Sequence, residues 1–160
     1  MSSGRPRRLP VEKTHTEPEH RESETAMPQM IFVNLPVKDL ETSKNFFAKL
    51  GYSFNPQFSD ERTACLVISD TIFAMLLQEE RFKDFTKKDI ADASASTEVI
   101  LALSADSREK VDELTEAALA NGGSPANETQ DLGFMYGRSF QDPDHHMWEV
   151  IWMDPSAVEG

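Results

Sequence analysis

The chain has 160 residues, of which 16 are basic and 28 acidic, and its net charge at neutral pH is -12. This length suits one domain with a sizeable core, and the negative charge disfavours nucleic acid and anionic membrane surfaces as partners. Because no run of about 18 apolar residues and no secretory signal are found, we expect a soluble, cytoplasmic protein.

Residues 1–26 differ in composition from the rest of the chain. They contain no aromatic residue, and their five basic and five acidic side chains cancel, so the negative charge belongs to residues 27–160. A segment with so few apolar side chains cannot bury enough surface to order itself. We therefore predict a disordered N-terminal tail at 1–26, followed by a single domain at 27–160.

The first module, at residues 29–78, has a βαβββ pattern. An apolar run at 29–37 predicts a strand, Asp39 suits a helix N-cap, and Gly51 suits the helix stop. Three short strands are then predicted at 52–58, 62–68 and 72–77. The single cysteine, Cys65, lies in an apolar run, so we expect a buried structural thiol.

The second module, at residues 97–154, repeats this order after a polar connection at 79–96 with at most a short helix near 79–85. A strand is predicted at 98–103, and Asp106 with Glu109 has the spacing of a capping box. Gly122 and Gly123 end that helix. Further strands are predicted at 126–130, 134–141 and 147–152, with a tight turn at 142–145.

The fold class predicted from this internal repeat is α+β. Two βαβββ modules pack most simply as a curved, cup-shaped mixed sheet with the helices outside. The concave faces of the strands would then enclose a pocket for a small-molecule ligand.

Two segments carry a resemblance to a known family. Residues 33–40 read VNLPVKDL, and residues 137–144 read GRSFQDPD and run into the closing strand at Trp148-Glu149-Val150. Both resemble the vicinal oxygen chelate superfamily of glyoxalase, bleomycin-resistance and extradiol dioxygenase proteins. The resemblance implies a cup that is usually completed in a homodimer, with a divalent metal held by His or Glu at equivalent strand positions.

The metal-ligand positions that the resemblance implies are mostly occupied by other residues. Phe32 falls where the first strand usually offers His, and Ala74 where the fourth strand offers Glu, and neither side chain can coordinate a metal. Glu98 falls near the usual His of the second module, and Glu149 falls on the usual closing Glu. Two carboxylates make a weak site that favours a hard ion, so we expect no cofactor or a weakly bound divalent metal.

Glu149 and Arg138 are the main candidates for a functional role. If the hairpin turn leaves two or four residues unpaired, both face the inside of the cup, while Trp148 faces the helices. They could form a structural ion pair. Alternatively, Arg138 could receive an anionic or carbonyl-bearing substrate while Glu149 acts as a general base.

Other residues are candidates for contact with a ligand or for a special conformation. The predicted substrate-binding residues are Phe32, Asn34, Tyr136, Arg138 and Met147. His145 takes a turn position where the family commonly has Gly, which predicts a left-handed or strained backbone there and no catalytic role. His146 is expected to be a surface residue of the hairpin.

Three functions remain open from the sequence. The first is a metal-dependent lyase or isomerase that resembles lactoylglutathione lyase. The second, which the residues at 32 and 74 favour, is a metal-free protein similar to bleomycin-resistance proteins that sequesters a small, cationic molecule. The third is a structural or regulatory domain that acts through its dimer interface. Extradiol dioxygenase activity is disfavoured because its 2-His-1-carboxylate iron site lacks both histidines.

Overall fold

The computed structural model of the protein describes residues 26–158. All but the last residue of the predicted tail therefore lies outside the described residues. Within 26–158, no helix is long and apolar enough to cross a lipid bilayer.

The first module forms a four-stranded sheet with one long helix on one side of it. Its elements are β1 (Ile31–Val37), α1 (Leu40–Lys49), β2 (Ser53–Phe54), β3 (Thr63–Val67) and β4 (Ile72–Gln78). The strand order is β1-β4-β3-β2, with β1 parallel to β4 and the other pairs antiparallel. As predicted, Asp39 caps α1, since its carboxylate accepts a hydrogen bond from the Thr42 amide. Gly51 follows the helix with a φ of 96°.

The second module repeats this topology after a connection that contains the short helix α2 (Glu79–Phe82). Its elements are β5 (Ile100–Ser104), α3 (Arg108–Ala120), β6 (Ser124–Pro125), β7 (Gln130–Asp131), β8 (Met135–Gln141) and β9 (Met147–Met153), and α4 (Pro155–Val158) follows. The strand order β5-β9-β8-β6 matches that of the first module, again with the first and last strands parallel. The predicted α+β fold with two βαβββ modules is confirmed, and the two mixed sheets remain open.

Some predicted element bounds are wrong for local reasons. The strand expected at 52–58 stops at Phe54, because the Asn55 side chain accepts from the Gln57 amide and starts a 3-10 turn at Pro56. The strand expected at 126–130 splits into two short pieces. The second long helix is capped by Ser107 rather than Asp106, since the Ser107 hydroxyl accepts from the Lys110 amide.

The core lies between the helices and the convex faces of the sheets, and it joins both modules. Phe47 of α1 packs edge-to-face on Trp148 of β9, with ring centroids 5.4 Å apart, and Phe46 contacts Phe140 of β8 at 6.0 Å. All four rings are buried. Cys65 is also buried, as predicted. Because these contacts cross from one module to the other, the two modules share a single hydrophobic core.

A polar turn at residues 142–146 fixes the modules to one another. Asp142 is 3% exposed, and its carboxylate accepts from the Trp148 indole at 3.0 Å and from the amides of Asp144 and His146. Burial raises the pKa of Asp142 above its ordinary value, while the nearby His146 and these donors oppose the shift. His145 has a φ of 66°, which confirms the predicted left-handed conformation.

The same turn reaches across to the first module. Asp144 accepts from the Lys38 amide at 2.9 Å and from the Ser43 hydroxyl at 3.1 Å, at the junction of β1 and α1. The His146 imidazole donates from Nε2 to the Pro36 carbonyl at 2.7 Å. His146 is therefore half-buried in the module interface, and the prediction of a surface hairpin histidine is wrong.

We predict that Asp142→Asn destabilises the domain by about 2 kcal/mol, because an amide cannot accept from the indole and from both backbone amides at once. Urea unfolding followed by circular dichroism measures the change. Asp144→Asn is the matched control: the Ser43 hydroxyl can rotate to accept from the new amide, so we expect a loss of less than about 0.5 kcal/mol. Equal losses in the two variants would contradict this account of the turn.

Candidate functional site

The concave face of the first sheet is apolar and partly open. Leu35 and Val37 point into the core, so Phe32, Asn34 and Pro36 point to the opposite face. Phe32 is 46% exposed and stacks on Phe73 of β4, with centroids 4.9 Å apart and the rings 11° from parallel.

The ligand position assigned to Ala74 on β4 is wrong. Ala74 is paired with Val33, and it is fully buried on the helix side of the sheet. Phe32 is paired instead with Phe73, which therefore occupies the concave position at that level of the sheet. A phenyl ring offers no metal ligand, so the first module supplies none at these positions.

The concave face of the second sheet carries Glu149. Trp148 and Val150 are buried against the helices, so the intervening Glu149 side chain lies on the opposite, concave face, as predicted. It is half-buried and lies between Ala102 of β5 and Ser139 of β8 in the sheet.

Arg138 does not share this face, and the prediction that it would is wrong. Gln141 pairs with Met147, so five residues separate the paired ends of β8 and β9, an odd number that reverses the expected parity. Arg138 lies opposite Val150 on the helix side. Its guanidinium donates to Asp112 at 3.1 Å and to Glu116 at 2.7 Å, both on α3.

Tyr136 belongs to the same outer network and does not reach the cup. Its hydroxyl donates to Asp112 at 2.6 Å, and this bond, together with Arg138, lowers the pKa of Asp112. Arg108 lies over the Tyr136 ring and forms two hydrogen bonds with Asp131, which hold the pKa of Asp131 down to about 2. These contacts attach α3 to the second sheet.

The structure does not bring Glu98 and Glu149 together as a metal site. Ile100, not Glu98, is the counterpart of Phe32, because each lies seven residues before the N-cap of the following helix. Glu98 lies before the start of β5 and lines a different cavity from Glu149. Within 26–158, no three His, Cys, Asp or Glu side chains are grouped closely enough to hold a metal ion. The residues at the family's ligand positions therefore do not fit a divalent metal.

A cavity next to the concave face lies at the junction of the modules. This junction cavity has a volume of about 410 Å³. Its walls come from the middle of β1, from the connection and from the hairpin turn, and they include Val33, Asn34, Pro36, Phe82, Ile90, Val99, His146 and Met147. Of the residues predicted to contact substrate, Asn34 and Met147 line it.

Charged groups of both signs line the junction cavity at its connection side. Lys88, Asp89 and Glu98 contribute to that wall, with His145 and His146 from the turn opposite. This wall could not be predicted from the sequence, because the polar segment at 79–96 shows no periodicity that would place it against β1. Pro36 and the helix cap at Asp39 predict where β1 ends, but they do not predict which segment packs against it.

A second hollow of similar volume, about 430 Å³, lies outside the cup between α1 and α3. Lys49, Lys110 and Glu113 line it, and Lys110 and Glu113 already form an ion pair at 3.0 Å. It is more open than the junction cavity, which is the better candidate because it adjoins the concave strand residues.

Comparison with known proteins agrees with this architecture. Residues 29–69 match the model of the bleomycin resistance protein-like N-terminal family. No curated protein matches the sequence.

Solved structures share the fold over most of the chain. Hypothetical protein SA1046 from S. aureus is 25% identical, with a TM-score of 0.67, over 79% of this chain and 94% of that one. A glyoxalase/bleomycin resistance protein/dioxygenase family enzyme from Burkholderia phytofirmans PsJN is 15% identical, with a TM-score of 0.65, over 78% and 98%. The fosfomycin resistance protein FosX from Listeria monocytogenes is 18% identical, with a TM-score of 0.58, over 81% and 97%.

The two βαβββ modules and these comparisons show that the chain has the fold of glyoxalase, bleomycin-resistance and dioxygenase proteins, and its first part matches the bleomycin resistance protein-like N-terminal family. At the level of the fold, the resemblance to the vicinal oxygen chelate superfamily is confirmed.

Proposed function

We propose that the protein binds a small organic molecule in the junction cavity and does so without a tightly held metal, as a bleomycin-resistance-like binding protein. The cavity itself is the observation that carries this proposal. Its volume of about 410 Å³ lies in the range of about 300–1,000 Å³ that is typical of small-molecule sites. Apolar walls with a few polar groups provide both burial and orientation for a ligand.

The charges around the cavity favour a cationic ligand. Asp89 and Glu98 outnumber Lys88 on the connection wall, and the whole chain carries a net charge of -12. Such a field raises the local concentration of cations and speeds their association. Glu149 lies outside this cavity, on the concave face of the second sheet, and we assign it an electrostatic role rather than a metal-binding one.

The alternative, a metal-dependent lyase or isomerase, needs a ligand set that this chain does not offer. Phe32, Phe73 and Ile100 occupy the concave positions at which the superfamily would place donors, and Glu149 alone is a donor. One carboxylate cannot compete with water for a divalent ion, which takes several oxygen ligands.

A homodimer is the second part of this proposal. Ile31 and Ile72 pair at the start of β1 and β4, and they are 55% and 40% exposed. Neighbouring large apolar side chains that face water are typical of protein contact surfaces. A second copy of the chain is the partner that the resemblance to the superfamily favours.

Ala93 of the connection also lines the junction cavity. We predict that Ala93→Trp, which places an indole into this wall, abolishes small-molecule binding. The probes are benzylamine and phenethylamine as cations and benzoate as the anionic counterpart, with binding followed by thermal shift and calorimetry. We expect the amines to raise the Tm of the wild type and benzoate to leave it unchanged. Ala48→Trp, on the exposed surface of α1, is the control and should bind normally. If Ala93→Trp binds the amines as the wild type does, the ligand binds at a site other than the junction cavity.

We predict that the purified protein contains far less than one equivalent of metal, and that magnesium, manganese, nickel and zinc leave its Tm unchanged. Elemental analysis and thermal-shift titration measure these properties, with Glu149→Ala as the comparison. Stoichiometric metal that disappears in Glu149→Ala would replace the metal-free proposal with the metal-dependent one.

We predict that the wild type is dimeric by size-exclusion chromatography with light scattering, and that Ile31→Lys shifts it to monomer. Burying the lysine charge in an apolar interface would cost more free energy than the apolar contact contributes to dimer formation. Val158→Lys, at an exposed valine of α4, is the control and should remain dimeric. A monomeric wild type would refute this part of the proposal.

A further inference from the structure

The open edge of β1 runs along the junction cavity. Among residues 26–158, β1 pairs only with β4, and Ile31 donates to the Thr71 carbonyl on that side. In a parallel ladder the backbone groups of alternate residues point to opposite sides. Those of Phe32, Asn34 and Pro36 therefore point away from β4, and residues 33–36 line the cavity.

Most acceptors on this edge are already occupied by side chains. The Asn34 amide donates from Nδ2 to the Phe32 carbonyl at 3.2 Å. The His146 imidazole donates to the Pro36 carbonyl, and Pro36 has no N–H to offer. At Asn34 itself, neither the backbone N–H nor the carbonyl has a hydrogen-bond partner among residues 26–158.

We propose that the Asn34 backbone pairs with one residue of a short, extended, peptide-like ligand in the junction cavity. This inference rests on the proposed function, because the ligand occupies the same cavity. In an antiparallel arrangement, one ligand residue donates its N–H to the Asn34 carbonyl and accepts from the Asn34 N–H with its own carbonyl. The ligand must therefore contain a residue with an acylated nitrogen and an amide carbonyl.

The blocked neighbours restrict how long the paired segment can be. Beyond Asn34, an incoming strand meets Pro36, which cannot donate, and the His146 ring. Such an edge resists pairing with a long strand, including one from a second copy of the chain. A ligand of about three residues makes the free pair of bonds without reaching these obstacles.

The surroundings also specify the chemistry of the ligand. Directly opposed residues of an antiparallel pair place their side chains on the same face of the sheet. The central ligand side chain would therefore lie beside Asn34 on the concave face, next to the exposed ring of Phe32. An aromatic central residue suits this position, and a free N-terminal ammonium suits the acidic wall at Asp89 and Glu98.

The test compares Ala-Phe-Ala amide with the same peptide methylated on the phenylalanine nitrogen. Both peptides have the same side chains and charge, but only the first can donate to the Asn34 carbonyl. By calorimetry we expect the methylated peptide to bind at least about tenfold more weakly. In a ¹⁵N-labelled sample, the Asn34 amide resonance should shift with the unmethylated peptide.

Two variants test the protein side of the pair. Asn34→Pro removes the N–H that points away from β4. It should weaken binding of the unmethylated peptide by about tenfold, while the hydrogen bonds between β1 and β4 stay intact. Asn34→Ala keeps that N–H and should bind the peptide at least as well as the wild type. If Asn34→Pro fails to fold, the comparison of the two peptides still decides.

The outcomes separate this inference from the proposed function. Equal binding of the two peptides overturns pairing at Asn34. A second outcome is that benzylamine binds, Ala93→Trp abolishes its binding, and neither peptide binds. This outcome overturns the peptide-like ligand but supports the small-molecule site. No binding of amines or peptides overturns both. If the Asn34 amide resonance shifts on dimerisation and not on addition of peptide, the edge of β1 pairs with a second copy of the chain, and the inference is overturned.

Discussion

The arrangement of the whole molecule depends on the carboxylate of Asp142 in the hairpin of the second module. Three donors converge on this buried group, and they hold the residues that follow it in one conformation. That conformation directs Asp144 to the start of α1 and His146 to the carbonyl of Pro36. Burial of a carboxylate is costly unless donors surround it, so the turn is stable only when it is fully formed. The position of one module against the other is thereby fixed by polar contacts with defined geometry, in addition to the shared aromatic core.

The same turn explains why the repeat could be predicted while the candidate site could not. The element order, the Asp39 cap and the helix stop at Gly51 depend on local chemistry, which the sequence displays directly. The face of Arg138 depends on the number of unpaired residues in the hairpin. Asp142 holds the amides of Asp144 and His146, which lengthens the turn to five residues and moves Arg138 to the outer network. The number of residues in this turn depends on a buried side chain, so the sequence alone does not reveal it.

The junction cavity illustrates a second limit of sequence reasoning. Its strand residues, Asn34 and Met147, were found because alternation places them on the concave face. The wall formed by the connection follows no period, and its position depends on the tertiary contacts of Phe82 and the segment after it. The assignment of Ala74 failed for a related reason. The residue of β4 that pairs with Phe32 is Phe73, one position before Ala74, and a shift of one residue reverses the face of the sheet.

Two features of the same stretch of β1 are related. One is that its concave side chains are not metal ligands, and the other is that its outer edge cannot pair with a long strand. At Phe32 an aromatic ring replaces a possible donor and, with Phe73, converts the floor of the cup to an apolar stacking surface. At Pro36 the missing N–H and the occupied carbonyl prevent extension of the sheet. Between them, the Asn34 side chain donates to the Phe32 carbonyl, while the Asn34 backbone groups face the cavity without a partner among residues 26–158. A strand whose side chains no longer favour a metal can thus still recognise a ligand through its main chain, with affinity from two hydrogen bonds and selectivity from the ring beside them.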